Sequence, residues 1–210
     1  MTQEYIYYYN RPYCDEIEGY YDSHSCIYKL EENLRNRFGE DIIKVRYIKK
    51  RIYIYTTRIF AQTEVAEMDK IYEDTNKFWE NNIREHLIGE KIKEIKETQE
   101  IMVETGFEFP LGSGHRFKVD YIATPEWNGM FMARMAGTMK YPVPIRDTKD
   151  EVMYLTDPTE IDMFYGSGLK FKKDMYTQTA SIIFTLKKTT TLKGINDFED
   201  PRRDYYESLL

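Results

Sequence analysis

The sequence predicts an α+β protein on three observations. Short β-prone runs close on turn residues near the start of the chain and again after Gly106. A proline-free stretch from Thr63 to Thr105 carries helical spacing. Hairpins and helices then follow one another without the regular strand–helix alternation of a parallel sheet. Three sections result: a small β-α-β-β module over 1–60, a long connecting helix over 61–105, and an α+β domain over 106–210 with two hairpins and two or three helices.

In the first section, Tyr5-Ile6-Tyr7-Tyr8-Tyr9 is β-prone and stops at Asn10-Arg11-Pro12. Asp22 or Ser23 is placed to cap a helix whose apolar residues Ile27, Leu30, Leu34 and Phe38 recur at three- and four-residue steps. Gly39 ends it, since glycine enters the left-handed region without a steric penalty. Next, Ile43, Val45 and Tyr47 alternate with Lys44, Arg46 and Ile48. After Lys49-Lys50, Ile52 and Ile54 alternate with Tyr53 and Tyr55, which reads as a β-hairpin. A sheet of this size needs a surface to pack on.

The second section holds one glycine, Gly89, and begins with acids (Glu64, Glu67, Asp69) that favour a helix N-terminus. Its apolar seam runs Val65, Met68, Tyr72, Thr75, Trp79, and resumes as Ile88, Ile92, Ile95, Gln99, Met102. Between the two the phase slips around Ile83 and Leu87, where Gly89 also weakens the helix. The pattern fits a coiled coil with a stutter, one long helix packing on its own domain, or two helices with a kink.

In the third section, Phe107-Glu108-Phe109 and Arg116 to Asp120 flank the turn Pro110 to Gly114. Thr124 and Pro125 sit at the cap and first position of a helix bearing Trp127, Met130, Phe131, Met135 and Met139, stopped by Tyr141-Pro-Val-Pro144. A second hairpin joins Val143–Arg146 to Glu151–Leu155 around Thr148-Lys-Asp150. Asp157 and Pro158 open a further helix with Ile161, Phe164, Leu169, Phe171, Met175, Ile182, Ile183 and Leu186, which Gly166 and Gly168 are placed to interrupt. A last helical turn spans Thr191 to Phe198, and Asp200-Pro201-Arg202-Arg203 begins a polar tail.

Composition narrows the function classes. A chain of 210 residues suits one generous domain or two small ones and excludes a large multidomain enzyme. With 30 Lys+Arg against 36 Asp+Glu, the formal charge of -6 argues against a general polyanion binder. There is no secretory signal at Met1 to Asn10 and no run long enough to span a bilayer, so no membrane role is expected. The unusual feature is 19 Tyr against three His and two Cys, a profile of burial against partners rather than of catalysis. Cys14 and Cys26 read as reduced thiols, and adding His24 gives too few ligands for a zinc site.

The chemical motifs point the same way. Leu111-Gly-Ser-Gly-His115 lacks the Lys-Ser/Thr ending of a phosphate loop and the Gly-x-Ser-x-Gly spacing of a nucleophile elbow, so it reads as a tight turn. His115 then reads as a turn residue. The pairs Asp15/Glu16, Asp157/Glu160 and Glu199/Asp200 are expected to be caps or solvated faces. Asp162 and Asp174 lack calcium-loop ligands between them. No catalytic, metal or cofactor residue is expected. Lys44, Arg46, Lys49, Lys50, Arg51 and Arg58 interleave with Tyr47, Tyr53 and Tyr55, as single-stranded nucleic acid requires, although alternation is expected to divide them between two faces and no RNP signature is present. The methionines Met130, Met132, Met135 and Met139 read as core. The tract Tyr5, Tyr7, Tyr8, Tyr9, Tyr13, Tyr20, Tyr21 is dense enough to suit a terminal strand lent to a neighbouring subunit.

One resemblance extends over roughly 100–200. Gly106-Phe-Glu-Phe109, a Gly turn, Phe117-x-Val-Asp120 and a helix come first. Then follow Val152-Met-Tyr-Leu-Thr156, a helix with Glu160 near its start, and Leu186-Lys-Lys-Thr-Thr-Thr-Leu192-Lys-Gly-Ile195. This order resembles the bacteriophage-associated family domain of unknown function 4376, found in tail and tail-fibre proteins. Tyr121-Ile-Ala-Thr-Pro-Glu126 stands where that family has a Ser-Gln-rich segment. The resemblance implies a virion structural role and no catalytic residues.

The leading expectation is therefore a non-enzymatic virion component of the tail, baseplate or tail fibre, made in the host cytoplasm and forming homo-oligomers with other virion proteins as partners. Its docking anchors are Tyr7, Tyr9, Tyr53 and Tyr55, and its oligomer seam is Trp79, Ile88, Ile92 and Ile95. The alternative is a phage nucleic-acid-binding or regulatory protein that uses the hairpin 42–58 through Lys49, Lys50 and Arg51.

Overall fold

The computed structural model describes residues 4–10, 23–48, 51–121 and 123–210, with side chains of the first helix from Ile27 onward. The α+β class holds. The chain divides into two compact units, Met1–Gly89 with Thr190–Asp197, and Glu90–Thr189 with Phe198–Leu210. This division differs from the three expected sections. The long helix is not a separate connector, because its first half packs in the core of the first unit and its second half belongs to the other.

In the first unit, β1 (Tyr5–Asn10), α1 (Ser23–Phe38), a 3-10 turn (Gly39–Asp41), β2 (Ile42–Ile48) and β3 (Arg51–Thr56) lead into α2 (Gln62–Thr105). The sheet order is β1-β3-β2, with both outer strands antiparallel to β3. The lent-strand expectation is corrected here: β1 pairs within its own chain, Tyr5 opposite Thr56 through Asn10 opposite Arg51. A register shift between Ile42 and Lys44 makes Ile43 the extra residue, so Ile42, Val45 and Tyr47 share the core side. Leu30 and Leu34 of α1 and Met68 of α2 close over Ile42, Val45, Ile52 and Ile54, joined by Phe60. Both helices cover the same face of the sheet, and among the described residues no helix lies on the other face.

Helix α2 is continuous from Gln62 to Thr105, so neither Gly89 nor the phase slip breaks it. Its buried residues (Met68, Thr75, Ile83, Leu87, Ile95, Thr98, Met102 and Thr105) include the two at the slip. Hence no kink is required to bury them. Helix α5 (Leu192–Asn196) belongs to the first unit and is capped by Thr191, whose hydroxyl accepts from the Gly194 N–H.

The second unit adds β4 (Phe107–Glu108), β5 (Arg116–Phe117), α3 (Ala123–Met135), β6 (Val143–Arg146), β7 (Val152–Leu155), α4 (Pro158–Lys188) and α6 (Arg203–Glu207). Both expected hairpins form, as the pairs β4-β5 and β6-β7. Their core centres on Phe164, 1% exposed, with the rings of Phe117, Phe107, Trp127 and Phe109 at 5.0, 5.3, 5.3 and 5.4 Å. Gly106 is obligatory: its φ is +62°, and a Cβ there would lie 1.9 Å from the Phe117 carbonyl oxygen.

Three expectations in this unit are corrected. Helix α3 stops at Met135, four residues before Met139. Gly137 (φ +68°) and Thr138 close it, their N–H groups reaching the Arg134 and Ala133 carbonyls in a Schellman pattern. At its start Asp120 accepts from the Ala123 N–H at 2.7 Å. Helix α4 is uninterrupted by Gly166 and Gly168, and the bare Cα of Gly168 lets Trp127 and Phe107 approach it. Asp200 and Arg202 are not a loose tail. They form a buried pair, and Arg202 also donates to the Thr179 hydroxyl.

Candidate functional site

The pairing register sorts the N-terminal sheet into two unlike faces. On the covered face lie Tyr5, Tyr7 and Tyr9 opposite Thr56, Ile54 and Ile52. The Tyr7 hydroxyl accepts the Phe60 N–H at 2.7 Å. Tyr9 donates to Asp69 Oδ1 at 2.6 Å and stacks on Tyr72 at 4.4 Å, while the Tyr72 hydroxyl donates to the Asn10 carbonyl. Burial first, then the Asp69 carboxylate, pushes the Tyr9 phenol well above its ordinary pKa. The expectation that Tyr7 and Tyr9 are docking anchors is thereby corrected, because both are used in tying β1 to the first unit's own core.

On the open face three rows cross the sheet: Ile6, Tyr55, Lys44; Tyr8, Tyr53, Arg46; and Asn10, Arg51, Ile48. None of these positions is a carboxylate. Tyr8 is 60% exposed and Ile6 54%. The Arg51 guanidinium lies 5.0 Å from the Tyr8 ring centre, and the Lys44 ammonium 4.5 Å from that of Tyr55. Lys44 also meets Glu4 at 3.2 Å. Arg46 has no ion-pair partner among the described residues.

Of the expected residues, the structure brings Tyr53, Tyr55 and Arg51 together on this face. Lys49 and Lys50 lie outside the described residues, as do Cys14, Tyr13, Tyr20, Tyr21, and the side chains of His24 and Cys26. The expected division of these cations and tyrosines between two faces does not separate Lys44, Arg46 and Arg51, which share one side with Tyr53 and Tyr55. It holds for Tyr47, on the core side. Arg58 lies off the sheet, bound to Asp41 and Glu64. Sequence reading missed Tyr8 and Ile6, because a run of four aromatics in five residues does not show which alternate set faces out.

The expected oligomer seam is divided. Trp79, Ile88 and Ile92 are half-buried, but Ile95 is 1% exposed and its side chain is enclosed by its own chain. That excludes Ile95 from a seam between copies.

In the second unit, His115 Nδ1 lies 2.8 Å from Asp147 Oδ2 and 3.7 Å from Glu151 Oε2. Among the described residues these three could hold a cation, with their ligand atoms within 4.8 Å of one another. Asp147 Oδ1, however, accepts the Lys149 and Glu151 N–H groups at 2.8 and 2.9 Å, so the carboxylate organises the β6–β7 turn. Burial pushes its pKa up, but the bonds from His115, Glu151 and Lys149 outweigh this and hold it below the usual range. The Ser113 hydroxyl accepts the His115 N–H at 3.1 Å, a turn contact. Asp157 and Glu160 accept backbone N–H groups at the start of α4, as caps. Asp162 and Asp174 are both on α4, which is no calcium loop. Among the described residues no helix is long and apolar enough to cross a membrane.

Compared with known proteins, the chain matches no family model, no curated protein and no solved structure.

Proposed function

We propose that the chain is a non-enzymatic docking component that engages a macromolecular partner through the open face of β1-β3-β2. One observation carries this reading. Ile6, Tyr8 and Ile48, 54%, 60% and 44% exposed, stand beside Tyr53 and Tyr55 on a sheet whose other face is already filled by α1 and α2. Contiguous large apolar and aromatic side chains left in water mark an interaction surface, and Tyr and Arg are the residue types that dominate such surfaces. The anchors are Tyr8, Tyr53 and Tyr55, with Arg46 and Arg51 around them. The setting we propose is assembly of a bacteriophage tail or baseplate, which rests on the motif order over residues 106–195.

The test places a photo-cross-linking p-benzoylphenylalanine at Tyr53, and separately at Leu111, an exposed position in the other unit. Irradiation in the cells that make the protein is expected to give a defined adduct from position 53 and none from position 111. No adduct from position 53 refutes the docking reading.

A further inference from the structure

We infer that the occupant of this face is a single-stranded nucleic acid, an inference that rests on the docking reading above. Three features of the face converge on it. First, charge is sorted against the trend of the molecule. The chain carries a formal charge of -6, yet the open face holds Lys44, Arg46 and Arg51 and no carboxylate among its strand positions. A polyanion is the complement of such a surface.

Second, the rings are spaced for bases that are no longer stacked on each other. Tyr53 and Tyr55 are two residues apart on the central strand, so they repeat at about 6.8 Å. That is twice the ~3.4 Å rise of a stacked strand. A duplex keeps its base faces closed, whereas an extended single strand can lay one base on each ring. Third, Tyr8 is the direct cross-strand neighbour of Tyr53, which gives a third platform on the adjacent strand. Aromatics on two neighbouring strands of an open sheet, ringed by cations, form a stacking surface that tolerates any base.

The free protein keeps this surface folded on itself. Arg51 covers Tyr8, and Lys44 covers Tyr55 while also pairing with Glu4. Binding moves the two cations from the rings to the phosphates, and of the three rings Tyr53 has no cation over it among the described residues. An acidic peptide would satisfy the cations but would leave three spaced rings unused.

The experiment is fluorescence anisotropy of labelled oligouridine and oligothymidine of about ten nucleotides, with a duplex of equal length as control. Both single strands are expected to bind, the duplex much more weakly, with a log–log salt slope of about -2 for three cations. Tyr53→Ser and Tyr8→Ser should each weaken binding roughly five- to hundred-fold, with Tyr53→Phe and Tyr8→Phe retaining it. Arg46→Glu with Arg51→Glu should abolish it. Tyr8 lies on an edge strand and is mostly exposed, so its variants report even where a Tyr53 variant misfolds.

Binding that ignores the tyrosine changes, or that favours the duplex, overturns the proposal. If no oligonucleotide binds while the position-53 adduct contains protein, the nucleic-acid inference fails and the docking reading stands. If neither gives a signal, both fall.

Discussion

The assignment of alternate tyrosines to opposite faces makes neighbouring residues behave differently under the same small change. Tyr7→Phe removes the hydroxyl that accepts the Phe60 N–H at 2.7 Å, and Phe60 is only 5% exposed. A buried donor without its acceptor costs about 1–3 kcal/mol, and because Tyr7 is half-buried and water can reach part of the site, about 1–2 kcal/mol is expected. Tyr9→Phe loses the bond to Asp69 but keeps the stack on Tyr72, for a cost of about 0.5–1.5 kcal/mol. Tyr8→Phe removes a hydroxyl with no partner among the described residues from a side chain 60% exposed, so its effect should stay within about 0.5 kcal/mol. Urea unfolding followed by far-UV circular dichroism measures all three, with unchanged m-values confirming that the same surface unfolds. Equal costs for Tyr7→Phe and Tyr8→Phe, or a neutral Tyr7→Phe, would refute the register on which the functional face depends.

Two further outcomes are expected. Phe164→Ala, at the centre of four ring contacts, should destabilise the second unit by about 3–5 kcal/mol, read from Trp127 fluorescence in a Trp79→Phe background; a cost under about 1.5 kcal/mol would contradict the packing of that core. Glu64 is held at about 2, against an ordinary 4.5, first by the hydrogen bond from Arg58 and then by the Ala61 N–H. Its folded pKa lies below its unfolded one, so its stabilisation is complete above about pH 4.5 and is lost as pH falls towards 2. Glu64→Gln should therefore flatten the acid side of the stability–pH profile, and an unchanged acid limb would count against the Arg58–Glu64 pair.

Much of the fold was legible because local chemistry decides it. Leu30 and Leu34 at helical spacing, the Ile52/Ile54 alternation, the Asp157-Pro158 start and the two hairpin turns are each specified within a few residues. What stayed hidden depends on distant residues. Which tyrosines of β1 face outward is set by pairing with β3, some forty-five positions later in the chain, and a one-residue slip would exchange the faces. Alternation counted from Ile43 does group Lys44 and Arg46 with Tyr53 and Tyr55, but it misses the irregularity between Ile42 and Lys44 that puts Ile42 rather than Ile43 in the core. Gly166 and Gly168 read as breaks from propensity alone, yet Gly168 stays in the helix because Trp127 and Phe107 need the space. Asp200 and Arg202 read as a tail because the hydroxyl to which Arg202 donates, that of Thr179, lies on α4, distant in the chain.

If the open sheet face is where the partner docks, it is covered when the protein is at work. Hydroxyl-radical footprinting compares Tyr8 and Ile6 with Tyr121, which is 85% exposed in the other unit, in the isolated chain and in complexes recovered from the producing cells. Oxidation of Tyr8 and Ile6 is expected to fall in the complexes while that of Tyr121 is unchanged. Tyr8 and Ile6 oxidised equally in both states would contradict it.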